Sequence, residues 1–294
     1  MTFAAVFPPM ATPFARGEID TSAITSNVAR WLAAGLGGIV ALGSNGEAPL
    51  LDEDESDRVI GAARDAVPRG KLLIAGTGRE STRATIAASA RAAALGADAV
   101  LVRTPSYFKP RMTPDAFVRH FTAVADASPV PVLLYNYPAV TGVNLTPETV
   151  GALARHPNIA GVKETGSDTG QVAAYVDQSP RAFAVIAGAA PTFYAGLCVG
   201  ATGAILAAAC VVPELCVRLF ELTLAGDHAA ARAMQTRITP IARLVTTTHG
   251  VPGLKAAMDL AGYKGGEPRS PLAPAGSDAI AEIRTELERL REGA

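Results

Sequence analysis

Short, continuous apolar runs recur along the chain, each followed by a longer segment with helical signals. The runs are Ala4–Phe7, Gly38–Leu42, Leu72–Ala75, Ala99–Val102, Val130–Tyr135, Ile159–Lys163, Ala184–Ala187 and Gly203–Ala207. They are rich in Val, Ile and Leu and do not alternate with polar residues, as expected of strands buried on both faces in a parallel sheet. Between them, Asp52-Glu-Asp-Glu55 places acidic residues where a helix N-terminus favours them. Ser81 opens a second helix that Gly96 closes, and Thr113-Pro114 and Thr146-Pro147 each set a cap residue before proline at the first helical position.

Repeated eight times, this alternation predicts an α/β chain: a (β/α)8 TIM barrel over residues 1–225 with a C-terminal helical extension over 226–294 packed on it. The extension has helical patterning broken near Gly250–Gly253 and Gly262–Pro274. A doubly wound open sheet shares the alternation. However, Gly35-x-Gly37 precedes a strand rather than following one, so it fails the context of a dinucleotide site. Gly196–Val212 is nearly free of polar side chains and approaches a membrane span in length. Its three glycines, its end at Pro213 and its lack of an aromatic belt fit a buried strand running into a small-residue helix better.

Composition narrows the function classes. The 294 residues carry 26 basic and 27 acidic side chains for a net charge of −1, with no basic run, which argues against nucleic acid and anionic membrane partners. Three cysteines (Cys198, Cys210, Cys216) and four dispersed histidines form neither a CxxC nor a Cys/His cluster. The reading is therefore no metal site, no disulfide framework and a reducing cytoplasm, with no signal peptide.

Chemistry in such a barrel sits at the C-terminal ends of the strands and in the loops beyond them. Of the five lysines, only Lys163 ends an apolar strand, where desolvation lowers the pKa of an amine that attacks carbonyls. Position alone leaves a second role open, a structural ion pair with Glu47, Asp168 or another carboxylate. Tyr135 ends the preceding strand as either a proton shuttle or a packing residue. Gly43-Ser-Asn-Gly-Glu47 is either an ordinary turn or one whose N–H groups suit a carboxylate.

Taken together, three motifs resemble the dihydrodipicolinate synthase and N-acetylneuraminate lyase superfamily across nearly the whole chain. They are Gly43-Ser-Asn-Gly-Glu47, Tyr135-Asn-Tyr-Pro-Ala-Val-Thr-Gly142 and Gly161-Val-Lys-Glu-Thr165. The resemblance implies a class I, Schiff-base lyase acting on pyruvate without metal or organic cofactor, with Lys163 as the imine lysine and Tyr135 as its proton-transfer partner. It implies that Tyr107 relays protons across a dimer interface, in a homotetramer built as a dimer of dimers. By the same resemblance Ser44 and Asn45 bind the pyruvate carboxylate, Ile205 offers a backbone contact, Gly188 and Thr165 belong to the substrate site, and Glu47 is a structural turn ligand.

For the second substrate, an aldehyde, Val140 stands where dihydrodipicolinate synthases carry a carboxylate-binding arginine. The stretch Ala187-Gly-Ala-Ala-Pro-Thr192 lacks the carboxylates that N-acetylneuraminate lyases direct at sugar hydroxyls. Arg111-Met112, Ala154–Ile159, Gly250–Lys255 and Gly262-Tyr263 are similar to 4-hydroxy-2-oxoglutarate aldolase, which implies cleavage to pyruvate and glyoxylate with Thr165 holding the 4-hydroxyl. Arg103 is either a contact for a distal carboxylate or half of an ion pair. The competing readings are condensation of pyruvate with aspartate semialdehyde, another 2-oxo acid lyase or dehydratase (N-acetylneuraminate lyase-like or acting on a 2-oxo-3-deoxy sugar acid), and a 2-oxo acid sensor without turnover.

Overall fold

The computed structural model describes residues 2–292. Eight parallel strands make up the barrel: β1 (Val6–Phe7), β2 (Gly38–Ala41), β3 (Leu72–Gly76), β4 (Ala99–Arg103), β5 (Val132–Asn136), β6 (Ile159–Glu164), β7 (Ala184–Ala187) and β8 (Gly203–Ile205). Each pairs with its sequence neighbours, and β8 returns to β1. Between β1 and β2 the ring closes at Pro9 and Val40, where Met10 N–H donates to Val40 O at 2.9 Å and Val40 N–H to Pro8 O at 3.0 Å.

Helices α1 (Thr21–Ala33), α2 (Glu53–Ala66), α3 (Thr82–Ala94), α4 (Pro114–Ala127), α5 (Pro147–Leu153), α6 (Thr169–Gln178), α7 (Phe193–Cys198) and α8 (Pro213–Leu224) follow the strands in turn. Asp52 caps α2 in a reciprocal box with Glu55, and Ser81, Thr113 and Thr146 cap α3, α4 and α5. Gly96 follows α3 at φ +92°, a left-handed conformation that glycine adopts without Cβ strain. The apolar stretch at 196–212 resolves into the end of α7, then β8, then a short 3-10 turn at Ala207–Cys210. No described helix is long and apolar enough to cross a membrane.

The extension holds α9 (His228–Arg243), α10 (Gly250–Leu260) and α11 (Ser277–Glu292). The break expected near Gly250–Gly253 falls a few residues upstream, in a π-helical turn at Leu244–Thr248, and Gly250 itself opens α10. Gly250 takes φ +57°, and Pro252 sits in the first turn, where its missing N–H costs nothing.

Side-chain parity splits the core into two shells. Phe7, Val40, Ile74, Leu101, Leu133, Tyr135, Ile186 and Ile205 point into the barrel, while the alternate residues Ile39, Leu73, Val100, Leu134, Val162 and Val185 pack under the helices. Both faces of each strand are therefore dry, which is why the runs read as continuous rather than alternating.

One buried ion pair ties the extension to the barrel mouth. Lys255 Nζ on α10 lies 2.5 Å from Glu47 Oε1, both side chains 1% exposed. Lys255 also donates to Glu267 O at 2.8 Å and sits over the Phe14 ring, and Arg269 N–H donates to the second Glu47 oxygen at 2.7 Å. Burial pulls the Lys255 pKa down while Glu47 pushes it back up. Removing one partner of such a pair strands the other charge in a dry site. Glu47→Ala should lower the unfolding free energy by about 3–5 kcal/mol in urea titrations, and Glu47→Leu combined with Lys255→Met should recover most of that loss.

Candidate active site

Register and parity together place the lysine. Tyr135 on β5 pairs with Lys163 on β6, and Lys163 with Ile186 on β7; Tyr135 and Ile186 both belong to the inner shell. The Lys163 side chain therefore enters the barrel, 4% exposed, with Nζ 4.3 Å from the centre of the Tyr135 ring. Its neighbour Glu164 faces the opposite way and is satisfied there by Asn136 Nδ2 at 2.7 Å, Gln171 Nε2 at 2.9 Å and the Gly166 N–H at 2.5 Å. Of the carboxylates weighed as ion-pair partners for Lys163, Glu47 is taken by Lys255, and Asp168 caps α6 through the N–H groups of Gly170 and Gln171.

Without a counterion, burial dominates, and the Lys163 pKa falls to about 7. The same dryness lifts the Tyr135 phenol to about 12, although the hydroxyls of Ser44 and Thr165 pull back toward ionisation. Ser44 Oγ lies 3.3 Å from the Tyr135 hydroxyl. Near neutral pH a substantial fraction of the amine thus carries a lone pair, beside a phenol that carries a proton. These are a nucleophile and an acid in contact.

The cavity around them is lined by Ser44, Asn45, Tyr135, Lys163, Thr165, Gly188 and Ile205, all singled out from the sequence. Pro9, Tyr137, Ala207 and Thr246 complete the wall and were not anticipated. Thr246 comes from the π-helical turn of the extension, and only the folded path of the chain brings it over the barrel mouth. The turn after β2 is held open under strain, with Leu42 and Glu47 both at φ 57° on either side of Gly43–Gly46. The Thr12 hydroxyl fixes it by donating to Gly46 O at 2.7 Å, and the Glu47 pair anchors its far end. Among the described residues no protein acceptor takes the Ser44 or Asn45 N–H, so both remain available to a carboxylate at the cavity wall.

Of the other candidates, Arg103 forms an ion pair with Glu80 at 2.8 Å at the cavity's outer edge. Val140 is 63% exposed on the rim. Tyr107, 79% exposed, stands outside the cavity beside Phe108, with ring centres 5.1 Å apart.

A barrel with a desolvated lysine at the end of β6 and a tyrosine beside it now has context. The chain matches the dihydrodipicolinate synthetase family over residues 2–290. It belongs to that family. A 4-hydroxy-tetrahydrodipicolinate synthase of Exiguobacterium sp. is 36% identical over 292 residues, covering 99% of both chains. A prophage protein of E. coli K12 belonging to the dihydrodipicolinic acid synthase family, solved in complex with pyruvate, superposes with a TM-score of 0.93 at 30% identity over 99% of each chain. A monomeric dihydrodipicolinate synthase variant superposes at 0.92, 30% identical over 96% of this chain and 95% of its own, so membership alone does not set the number of subunits. As a member of the dihydrodipicolinate synthetase family the chain is an enzyme of the carbon–carbon lyase and synthase type.

Within this family site, Gly188 is tight for a simple reason: a Cβ there would lie 2.3 Å from Thr165 Oγ1 and 3.0 Å from Lys163 Cε. Gly188→Ala should leave a folded barrel, destabilised by about 1–3 kcal/mol through overpacking, and should sharply slow covalent trapping of pyruvate, read by borohydride reduction and intact mass.

Proposed function

We propose that the chain is a class I aldolase that carries pyruvate as an imine on Lys163 and cleaves 4-hydroxy-2-oxoglutarate to pyruvate and glyoxylate. The observation that carries the proposal is the Lys163 amine, buried in the barrel mouth without a counterion, 4.3 Å from the centre of the Tyr135 ring; burial pulls its pKa down to about 7 and that of the phenol up to about 12.

Lys163 attacks the 2-oxo carbon while Ser44 and Asn45 hold the adjacent carboxylate. Tyr135 gives its proton to the departing hydroxyl of the carbinolamine, water leaves, and the iminium forms beside the new phenolate. That cation stabilises the phenolate, which at rest is disfavoured. The phenolate then takes the proton of the 4-hydroxyl as the C3–C4 bond breaks. The bond's electrons pass into the iminium and give the enamine, and glyoxylate departs. Tyr135 protonates C3, water adds to the resulting iminium, the proton returns to the phenolate, and pyruvate is released. Every proton is accounted for by one tyrosine.

Thr165 is the candidate holder of the 4-hydroxyl, because its hydroxyl oxygen is buried in the cavity and makes no well-aligned hydrogen bond to the protein. The second reading, condensation of pyruvate with aspartate semialdehyde, is favoured by the synthase name of the 36% identical relative. Against it stands Val140, an apolar side chain that offers no bidentate partner to a carboxylate.

Borohydride reduction with pyruvate should give one adduct, on the peptide containing Lys163. Lys163→Ala should abolish both adduct and turnover. Tyr135→Phe should lower kcat by about 10²–10⁴-fold while the protein still folds. Release of glyoxylate from 4-hydroxy-2-oxoglutarate, set against product from pyruvate plus aspartate semialdehyde, separates the two readings. Product only in the second assay would overturn the first.

A further inference from the structure

Behind the barrel wall, on the outer side of the strands that carry Tyr135 and Lys163, lies a buried polar pair that the chemistry above does not use. Asn136 and Glu164 follow the reacting residues on β5 and β6 and pair with each other on the next rung, both buried. Asn136 Nδ2 donates to Glu164 Oε2 and to Asn144 Oδ1, each at 2.7 Å, and Asn136 Oδ1 accepts the Leu145 N–H at 3.0 Å. Glu164 accepts further from Gln171 Nε2 and from the Gly166 N–H, so these donors to its carboxylate are all neutral.

A buried carboxylate held by neutral donors is a poor source of stability, since they return only part of what the charge loses on leaving water. The best-attested use of such groups is to fix register. Register is open to error here. Val132 pairs with Ile159 but Leu133 with Gly161, so β6 carries one extra residue, Ala160, against β5. Without that bulge Tyr135 would face Val162, whose side chain lies in the outer shell, and Lys163 would face Asn136. One residue of slip therefore decides whether the amine meets the phenol. Both strands also end on the Asn136–Glu164 rung, and the backbone bond beyond it runs from the Thr165 N–H to Asn136 O at 3.1 Å.

We infer that Asn136 and Glu164 are positioning residues, a side-chain latch across β5 and β6 that locks the register in which Tyr135 and Lys163 react. Sliding β6 by one residue would break the 2.7 Å bond in a dry site, where an unpaired carboxylate is costly. The latch touches no substrate and acts only through the two strands. The inference deepens the imine reading of Lys163 and rests on it, but not on the choice of aldehyde. A misplacement of about 1 Å in a reacting geometry costs about 10²-fold in rate, which sets the scale expected when the latch is removed.

The test follows exchange of the pyruvate C3 protons in D2O by NMR, a reaction that needs the imine and the tyrosine but no aldehyde. The full-length parent is compared with Asn136→Leu, Glu164→Gln and the control Asn144→Ala, with a thermal melt of each. Asn144 is exposed and takes the other short bond of the Asn136 amide, so its loss leaves the latch intact. The maximal exchange rate should fall about 10²-fold in Asn136→Leu and about tenfold in Glu164→Gln, which keeps one acceptor oxygen for Asn136. The half-saturating pyruvate concentration should stay within about twofold in both, because the Ser44–Asn45 turn is untouched. Asn144→Ala should stay within about twofold on both measures. If Asn136→Leu fails to fold, Glu164→Gln carries the test alone. A maximal rate within about twofold of the parent in Glu164→Gln would rule the latch out. So would rate, half-saturation and melting temperature worsening together in all the variants, the control included. Failure of the imine reading shows itself separately, as a parent enzyme that gives no borohydride adduct with pyruvate.

Discussion

An amine attacks a carbonyl only through its lone pair, and Lys163 keeps one because the barrel gives its ammonium form neither water nor a counterion. Inward parity on β6 removes the water. The removal of counterions takes more of the structure: Glu164 is turned outward into its own hydrogen-bond network, Asp168 is spent on a helix cap, and Glu47 is held by another lysine. A pKa of about 7 is the sum of these exclusions, with burial as the first cause. Tyr135 feels the same dry environment in the opposite sense and stays protonated. One physical condition thus prepares both the nucleophile and its acid.

Two buried lysines make the point by contrast. Lys255 is as deeply buried as Lys163, yet it faces Glu47 at 2.5 Å and rests over Phe14. That makes it a structural cation joining α10 to the turn that presents Ser44 and Asn45. The extension therefore does more than cover the barrel, since it clamps the turn and contributes Thr246 to the cavity wall. Strain at Leu42 and Glu47 persists because this clamp over-determines the turn.

Much of this was legible in the sequence, for identifiable reasons. Strands buried on both faces write continuous apolar runs, and helix caps write Asp52, Ser81, Thr113 and Thr146, so the barrel and its order could be read directly. Lys163 stood out because lysine is scarce and this one ends a strand, and the motif around Tyr135 supplied its partner. Side-chain pairing across 208 positions of chain, from Glu47 to Lys255, leaves no local signature, so Lys255 read as an ordinary extension lysine. Thr246 was hidden for the same reason. The break near Gly250 was legible because glycine signals one, but it sits a few residues early, since the π-helical turn just before Gly250 carries none of the usual breakers. Arg103 was left open between two roles, and its ion pair with Glu80 depends on a residue 23 positions away in the chain that no local pattern announces.

The central claim is that burial without a counterion lets Lys163 supply free amine near neutral pH, and its titration tests that directly. Five lysines make the experiment tractable by NMR of protein labelled at lysine Cε, with Lys163→Met assigning the signal. A midpoint near pH 7 for Lys163 is the result expected. A Lys163 midpoint near the ordinary 10.5 would mean that the amine is charged at neutral pH, and the account of the site would fall.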